Sequence, residues 1–120
     1  MTTEKRAANA GTVVLVNGET MGRGDDRLGA TVLGNFLRSL ATIEPKPDAV
    51  VFVNAAVKLL GPGSQSLEAL GVLDDAGVDI LACATCVDFF GLTRDLKVGR
   101  ATQMRDIVQR MMSAWKVIGV

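Results

Sequence analysis

The stretch GVDILACATC at residues 77–86 joins a glycine, a short apolar run and two cysteines three positions apart. Gly77 lies where a left-handed residue ends a helix. The run from 78 to 82 has the length and apolar character of a buried strand, and a short helical segment can follow from about 84 to 90. This order is typical of a β-α-β unit. The stretch therefore predicts a parallel sheet with both cysteines at the carboxyl end of its third strand.

The same alternation of strand and helix runs through the rest of the chain. Valine-rich runs at 12–17 and 49–53 predict the first two strands, WKVIGV at 115–120 predicts the last, and the segment after 53 is predicted as a loop. We therefore predict a single-domain α/β fold, a three-layer sandwich with a mostly parallel sheet and flavodoxin- or Rossmann-like topology.

Three helical patterns separate the predicted strands. Their N-terminal caps are assigned to Asp25 or Asp26, to Ser64 or Ser66, and to Thr102. The last pattern places five apolar side chains on one helix face, which predicts that this face packs against the core. These residues are Met104, Ile107, Val108, Met111 and Met112.

The composition limits the class of protein. The 120 residues fit one domain, which we assign to 11–120, with residues 1–10 as a flexible N-terminal tail. Apolar residues make up 48% of the chain and aromatic residues only 4%, which favours an aliphatic, parallel-sheet interior. Lys plus Arg and Asp plus Glu are both 13, so no basic excess favours nucleic acid. No apolar run approaches the about 20 residues that cross a bilayer, and we expect a cytoplasmic protein.

The residue types present also limit the chemistry. Histidine is absent, which excludes Ser-His-Asp and Cys-His catalysis and every metal motif that needs histidine. Two thiols do not complete a closed zinc site without carboxylates. We expect neither a metal nor a cofactor.

Candidate site residues follow three strands, because ligands of open α/β sheets bind beyond the carboxyl ends of strands. Cys83 and Cys86 follow the third strand, where unpaired N–H groups and a helix dipole favour thiolate. Candidate binding residues follow the first two strands: Asn17, Gly22, Gly24, Asn54 and Lys58.

Each of these residues also has a structural interpretation. Free cysteine is among the most buried residue types, so the pair can be core packing, although the C-x-x-C spacing at a strand end favours chemistry. Gly22 and Gly24 can form a concavity for an anion, although the two aspartates after them favour helix capping. Asparagines at strand ends commonly fix loop backbone, and a lone lysine is commonly solvated. Phe89 and Phe90 are interpreted first as packing residues.

The chain resembles the DsrE-like C-terminal domain of YedF-type selenium-metabolism proteins over residues 11–118. The segments that carry the resemblance are NGETMGRGDDRLG, FVNAAVKL, GVDILACATCVDFFGL and VGRATQMRDIV. The resemblance implies a DsrE/F-like fold, a link to sulfurtransferase or selenium metabolism, and a homo-oligomer.

The resemblance also ranks the two cysteines. In DsrE-like sulfur-relay proteins a reactive cysteine at a strand end precedes a glycine by eight residues, and Cys83 and Gly91 match that spacing. Cys86 matches the second cysteine of the C-G-T-C version, with Ala84 in place of glycine. This places Cys83 first as the sulfur acceptor. YedF-type chains usually carry a TusA-like domain where this sequence has a short tail. The resemblance then implies a separate TusA-like carrier or another thiol protein as partner, a sequence that covers one domain of a longer protein, or a different function.

Three functions follow from these features. The leading hypothesis is a sulfur or selenium carrier that holds a cysteine persulfide and passes it to a partner thiol; whether it is an enzyme stays open. The second is a dithiol redox protein, although CATC lacks the proline usual between thioredoxin-type cysteines. The third is a non-catalytic binding or assembly subunit in which the cysteines only pack.

Overall fold

Residues 11–120 are described by the computed structural model, so the tail predicted at 1–10 lies outside the described residues. The strands are β1 Thr12–Val16, β2 Ala49–Phe52, β3 Asp79–Cys83, β4 Arg100–Thr102 and β5 Lys116–Gly119. The α-helices are α1 Asp26–Thr42, α2 Leu67–Asp75, α3 Ala84–Phe89 and α4 Met104–Ser113. A 3₁₀ helix at Asn54–Leu60 follows β2.

The described strands form one sheet in the order β4-β3-β2-β1-β5, and every neighbouring pair is parallel. The register places Val14 beside Val50, Val50 beside Ile80, and Ala82 beside Ala101. Because all strands point the same way, the segments that follow β1, β2 and β3 meet at one edge of the sheet. The predicted parallel α/β fold is confirmed.

Side chains alternate between two buried layers. Val14, Val50 and Ile80 belong to the larger cluster, which α1, the 3₁₀ helix and α2 cover with leucine and valine side chains. Val13, Val51 and Leu81 belong to the smaller cluster on the other face, where the buried helical residue is Ile107 of α4. The sheet therefore has helices on both faces, as predicted, but one face is covered by a single short helix.

The helix boundaries test the predicted caps. Asp25 caps α1, because its carboxylate accepts a hydrogen bond of 2.8 Å from the Leu28 N–H. Gly77 ends α2 with a φ of 92°, as predicted. Ser66 stands at the N-cap of α2 without a side-chain hydrogen bond; instead the hydroxyl of Ser64 accepts one from the Ser66 N–H at 3.1 Å.

Other expectations for local structure are corrected. The segment after β2 is a 3₁₀ helix rather than a loop. Thr102 ends the unpredicted strand β4, and Gln103 precedes α4 without a side-chain cap. Of the five apolar side chains expected on one buried face of α4, only Ile107 is buried. Among the described helices, none is long and apolar enough to cross a membrane.

Candidate functional site

Cys83 is the last residue of β3, so its predicted place at the strand's carboxyl end is confirmed. Its side chain points to the face covered by α4, in the buried cluster that includes Val51 and Leu81. It is a free thiol with 3% of its surface exposed. A protein partner therefore has little access to the Cys83 sulfur in this conformation.

Cys86 lies in the first turn of α3 and is only half-buried. Its side chain packs against the edges of both buried clusters. Its Sγ accepts a hydrogen bond from the backbone N–H of Asn54, with a donor–acceptor distance of 3.0 Å. The thiol thus stands between the end of β2 and the start of α3.

Cys86 also lines an open pocket of about 370 Å³. The other lining residues are Asn54, Thr85, Phe89 and Phe90. The two phenylalanine rings meet edge to face, with centroids 5.0 Å apart, and the Phe89 side chain is 80% exposed. The pocket therefore brings a thiol to a mostly apolar surface that solvent and other molecules can reach.

The surroundings of Cys86 act on its acidity in opposite directions. Burial raises the pKa of the Cys86 thiol, and the neighbouring Cys83 raises it further. The Asn54 amide opposes this shift, because its hydrogen bond favours the thiolate. The balance raises the pKa, so Cys86 is protonated in the resting protein at neutral pH.

The predicted residues Asn54 and Lys58 lie at or beside this pocket. Lys58 Nζ stands 4.8 Å from the centroid of the Phe90 ring and 3.4 Å from the Glu19 carboxylate. The cation thus lies over one wall of the pocket and is partly neutralised by the loop after β1. The sequence did not show whether Lys58 faces the site; its position in the 3₁₀ helix places it there.

The other predicted binding residues lie outside the pocket. The Asn17 N–H donates to the Val120 carbonyl at 3.4 Å, beside the β1–β5 pair. Gly22 and Gly24 have φ values of 84° and 127° in the exposed loop before α1. The described pocket lining includes none of these three residues.

Two site residues were not predicted from sequence. Thr85 lies between the cysteines and lines the pocket, and its place in C-x-x-C at a helix start was an available signal. Glu19, in the loop after β1, pairs with Lys58 of the 3₁₀ helix, and no local sequence pattern indicates that contact. Within residues 11–120, no group of three or more thiol or carboxylate side chains is arranged to hold a metal ion.

Comparison with known proteins identifies the fold. No protein-family model matches the chain, and no curated protein matches it. The YchN protein of E. coli has a similar structure, with a TM-score of 0.66 and 24% identity over 92% of this chain and 98% of YchN. A protein of unknown function from Methanobacterium thermoautotrophicum has the same TM-score of 0.66 and 24% identity, over 91% of this chain and 97% of its own.

A conserved protein of unknown function from Bacteroides thetaiotaomicron has a TM-score of 0.63 and 14% identity, over 94% of this chain and 97% of its own. All three structures are matched over nearly their whole length, and YchN has a DsrE/F-like fold. Identities this low establish a shared fold and nothing finer. The chain therefore has a YchN-type, DsrE-like fold.

Proposed function

We propose that this protein is a sulfur or selenium carrier related to the DsrE-like domain of YedF-type proteins. It holds a persulfide on the Cys83/Cys86 pair and passes it to the thiol of a partner. The observation that supports this most directly is the placement of Cys86. Its free thiol lines an open apolar pocket and receives an amide hydrogen bond at the carboxyl edge of the sheet.

The transfer needs no oxidant or reductant. The Cys86 thiol first loses its proton to water, and the donor thiolate released in the next step takes up a proton from solvent. The Cys86 thiolate then attacks the outer sulfur of a donor persulfide, a new S–S bond forms at Cys86, and the donor's S–S bond breaks to release a thiolate. An acceptor thiolate repeats the exchange in the second half of the cycle. The transferred sulfur keeps its oxidation state throughout.

The two cysteines differ in access. The spacing to Gly91 favours Cys83, whereas exposure favours Cys86, because Cys83 is 3% exposed and Cys86 opens to the pocket. We place the entry of sulfur at Cys86. Cys83 is then the neighbouring thiol that can resolve a stalled persulfide on Cys86 by forming the Cys83–Cys86 disulfide and expelling hydrosulfide.

The proposed partner is a TusA-like carrier or another protein with an accessible thiol. The pocket suits such a partner because its rim is apolar at Phe89 and carries a positive charge at Lys58. We also propose a reducing compartment such as the cytoplasm, where the cysteine pair stays available as thiols.

Mass spectrometry of persulfide loading tests the proposal. Wild type, Cys83→Ser and Cys86→Ser are incubated with a small persulfide donor, and intact mass and peptide mapping locate each added sulfur. We expect wild type to gain one sulfur on Cys86, Cys83→Ser to keep at least half of that loading, and Cys86→Ser to lose about nine-tenths of it.

The outcomes separate the alternatives. Loss of loading in Cys83→Ser with full loading in Cys86→Ser would return the acceptor role to Cys83. Rapid conversion of the pair to a disulfide without retained sulfur would support the dithiol redox function. If native protein resists both the donor and small alkylating agents, the cysteines only pack and sulfur transfer is wrong.

A further inference from the structure

Asn54 has an unusual backbone conformation directly beside the Cys86 sulfur. Among residues 11–120 it is the non-glycine residue with positive φ, at 53°. It follows β2 and opens the 3₁₀ helix, and its N–H points across the sheet edge to Cys86 Sγ at 3.0 Å. The two residues are 32 positions apart in the chain. The contact thus belongs to the tertiary structure of the site.

We propose that Asn54 is a positioning residue for sulfur transfer: its left-handed backbone aims its N–H at Cys86 Sγ and stabilises the sulfur anion there. The inference rests on the proposed function, since it assigns Asn54 a role at the same thiol. The sequence left two roles open for the Asn54 side chain, fixing loop backbone or contacting a ligand, and neither of them is a contact between the Asn54 backbone N–H and the thiol.

The asparagine side chain explains why this residue type adopts that conformation. A left-handed backbone costs an ordinary L-residue about 1–2 kcal/mol, and asparagine tolerates it better than most. Here the Asn54 Oδ1 accepts a hydrogen bond of 2.8 Å from the N–H of Ala55. That bond holds the first turn of the 3₁₀ helix while the Asn54 N–H remains directed at the sulfur. The side chain therefore fixes the local backbone, and the backbone contacts the thiol.

Backbone hydrogen bonds of the neighbouring residues also fix the direction of the Asn54 N–H. The preceding Val53 N–H donates to the Val16 carbonyl at 3.0 Å, and the Ala56 N–H donates to the Val53 carbonyl at 3.1 Å. These bonds tie the residues before and after Asn54 to β1 and to the 3₁₀ helix. The amide is thus held in place before any sulfur arrives, and preorganised donors need little rearrangement when charge develops.

The charged side chains near Cys86 do little to stabilise its thiolate. Cys83 lies on the strand side and disfavours the thiolate, while Lys58 lies over Phe90 and is paired with Glu19. Asp88 of α3 is exposed two positions beyond Cys86. The carboxylates of Glu19 and Asp88 do not stabilise an anion at Cys86. Stabilisation of the thiolate therefore comes from two backbone N–H groups, that of Cys86 itself in α3 and that of Asn54 in the 3₁₀ helix.

Two substitutions at Asn54 separate backbone from side chain. Asn54→Gly removes the side chain but adopts a φ of 53° freely, whereas Asn54→Ala removes the same side chain and disfavours that conformation. Both variants are made in the Cys83→Ser protein, so that Cys86 is the thiol that reacts. Its rate of alkylation by iodoacetamide is measured from pH 6 to 11, which gives the apparent pKa without any sulfur donor.

We expect Asn54→Ala to raise the apparent pKa of Cys86 and to lower its alkylation rate at pH 7.5 by about fivefold or more, roughly one kcal/mol of hydrogen bonding to a charged group. We expect Asn54→Gly to raise the pKa much less, because glycine adopts the φ of 53° freely although the Oδ1 bond to Ala55 is lost. Gly77→Ala is the matched control. It places alanine at a φ of 92° at the opposite end of β3, so it destabilises the fold without touching the sulfur.

The result that overturns the inference is a pKa in Asn54→Ala equal to that of the parent or of Gly77→Ala. An equal rise in Asn54→Gly and Asn54→Ala would also contradict it, because the effect would then belong to the side chain. These experiments use alkylation alone. If persulfide loading fails but Asn54→Ala shifts the pKa of Cys86, the sulfur carrier is rejected and the positioning of Cys86 by Asn54 stands. If loading succeeds but the pKa does not shift, the carrier stands and the role of Asn54 is rejected.

Discussion

At the residue scale, the two thiols are electrostatically linked. Cys86 is the half-buried member, and its pKa is raised first by burial and then by its hydrogen bond and charge interaction with Cys83. A thiol reacts as the thiolate, so each of these effects slows reaction at neutral pH. The buried Cys83 thus disfavours the reactive form of the half-buried Cys86.

Removing Cys83 should therefore make Cys86 more reactive. In Cys83→Ala the interaction that disfavours the Cys86 thiolate is lost, so we expect the apparent pKa of Cys86 to fall and its alkylation at pH 7.5 to speed up by about threefold. The measurement is the pH dependence of iodoacetamide alkylation. Val51→Ala is the control, because Val51 belongs to the same buried cluster and carries no ionisable group. Equal acceleration in both variants would attribute the effect to loosened packing.

Sequence reasoning located the cysteines correctly but not their surroundings. The apolar run and the helix-ending Gly77 place Cys83 at a strand end by local rules, and the structure agrees. The exposure of Cys86 and its bond to Asn54 depend on the contact between two β-α connections 32 residues apart. Such contacts follow from the packing of the sheet edge, which no local pattern records.

At the element scale, β4 is the strand that local rules did not predict. Its three residues are Arg-Ala-Thr, two of them exposed, so no apolar run marks it. It forms because β3 offers a free edge, where Ala82 pairs with Ala101 and Cys83 with Thr102. The residue that permits the approach is Gly99, with a φ of 77°. The strand thus borders Cys83 directly.

A side chain at Gly99 should weaken this edge. A Cβ there would lie 2.7 Å from both the carbonyl oxygen and the Cγ2 of Ile80. We expect Gly99→Ala to lower the free energy of unfolding by about 2–5 kcal/mol, from the left-handed backbone plus overpacking. Gly77→Ala, with the same backbone penalty and nothing within 4 Å, should cost about 1–2 kcal/mol. Urea denaturation of both variants gives the comparison, and equal losses would show that the approach of β4 to Ile80 is not tight.

At the scale of the whole molecule, the two faces of the sheet are covered unequally. The face with Phe52 and Leu70 is closed by several helices, whereas the other is covered by α4 through Ile107. Beside the buried Ile107, α4 exposes a stripe of apolar side chains four positions apart: Met104, Val108 and Met112. The sequence pattern predicted these side chains correctly as one stripe, but periodicity alone does not say what a stripe packs against.

We predict that this stripe joins copies of the chain in a homo-oligomer. After α4, exposed apolar side chains follow on the same face of the sheet at Trp115, directly before the edge strand β5, and at Val117 in that strand. Since the formal net charge is 0, long-range repulsion between copies does not oppose association. A second copy can bury this surface against the same surface of the first, as two-fold symmetry requires.

Light scattering of wild type at tens of micromolar should therefore give at least a dimer. Met112→Glu places a charge on the most exposed residue of the stripe, 79% accessible, and should raise the dissociation constant about tenfold or more, since burying a methionine is worth about 1.5–3 kcal/mol. Ser113→Glu adds the same charge to an exposed residue about 100° around α4 from Met112 and should leave the assembly intact. A monomeric wild type rejects the oligomer. An assembly equally sensitive to both charges would place the interface elsewhere on the molecule, because Met112 belongs to the stripe and Ser113 lies outside it.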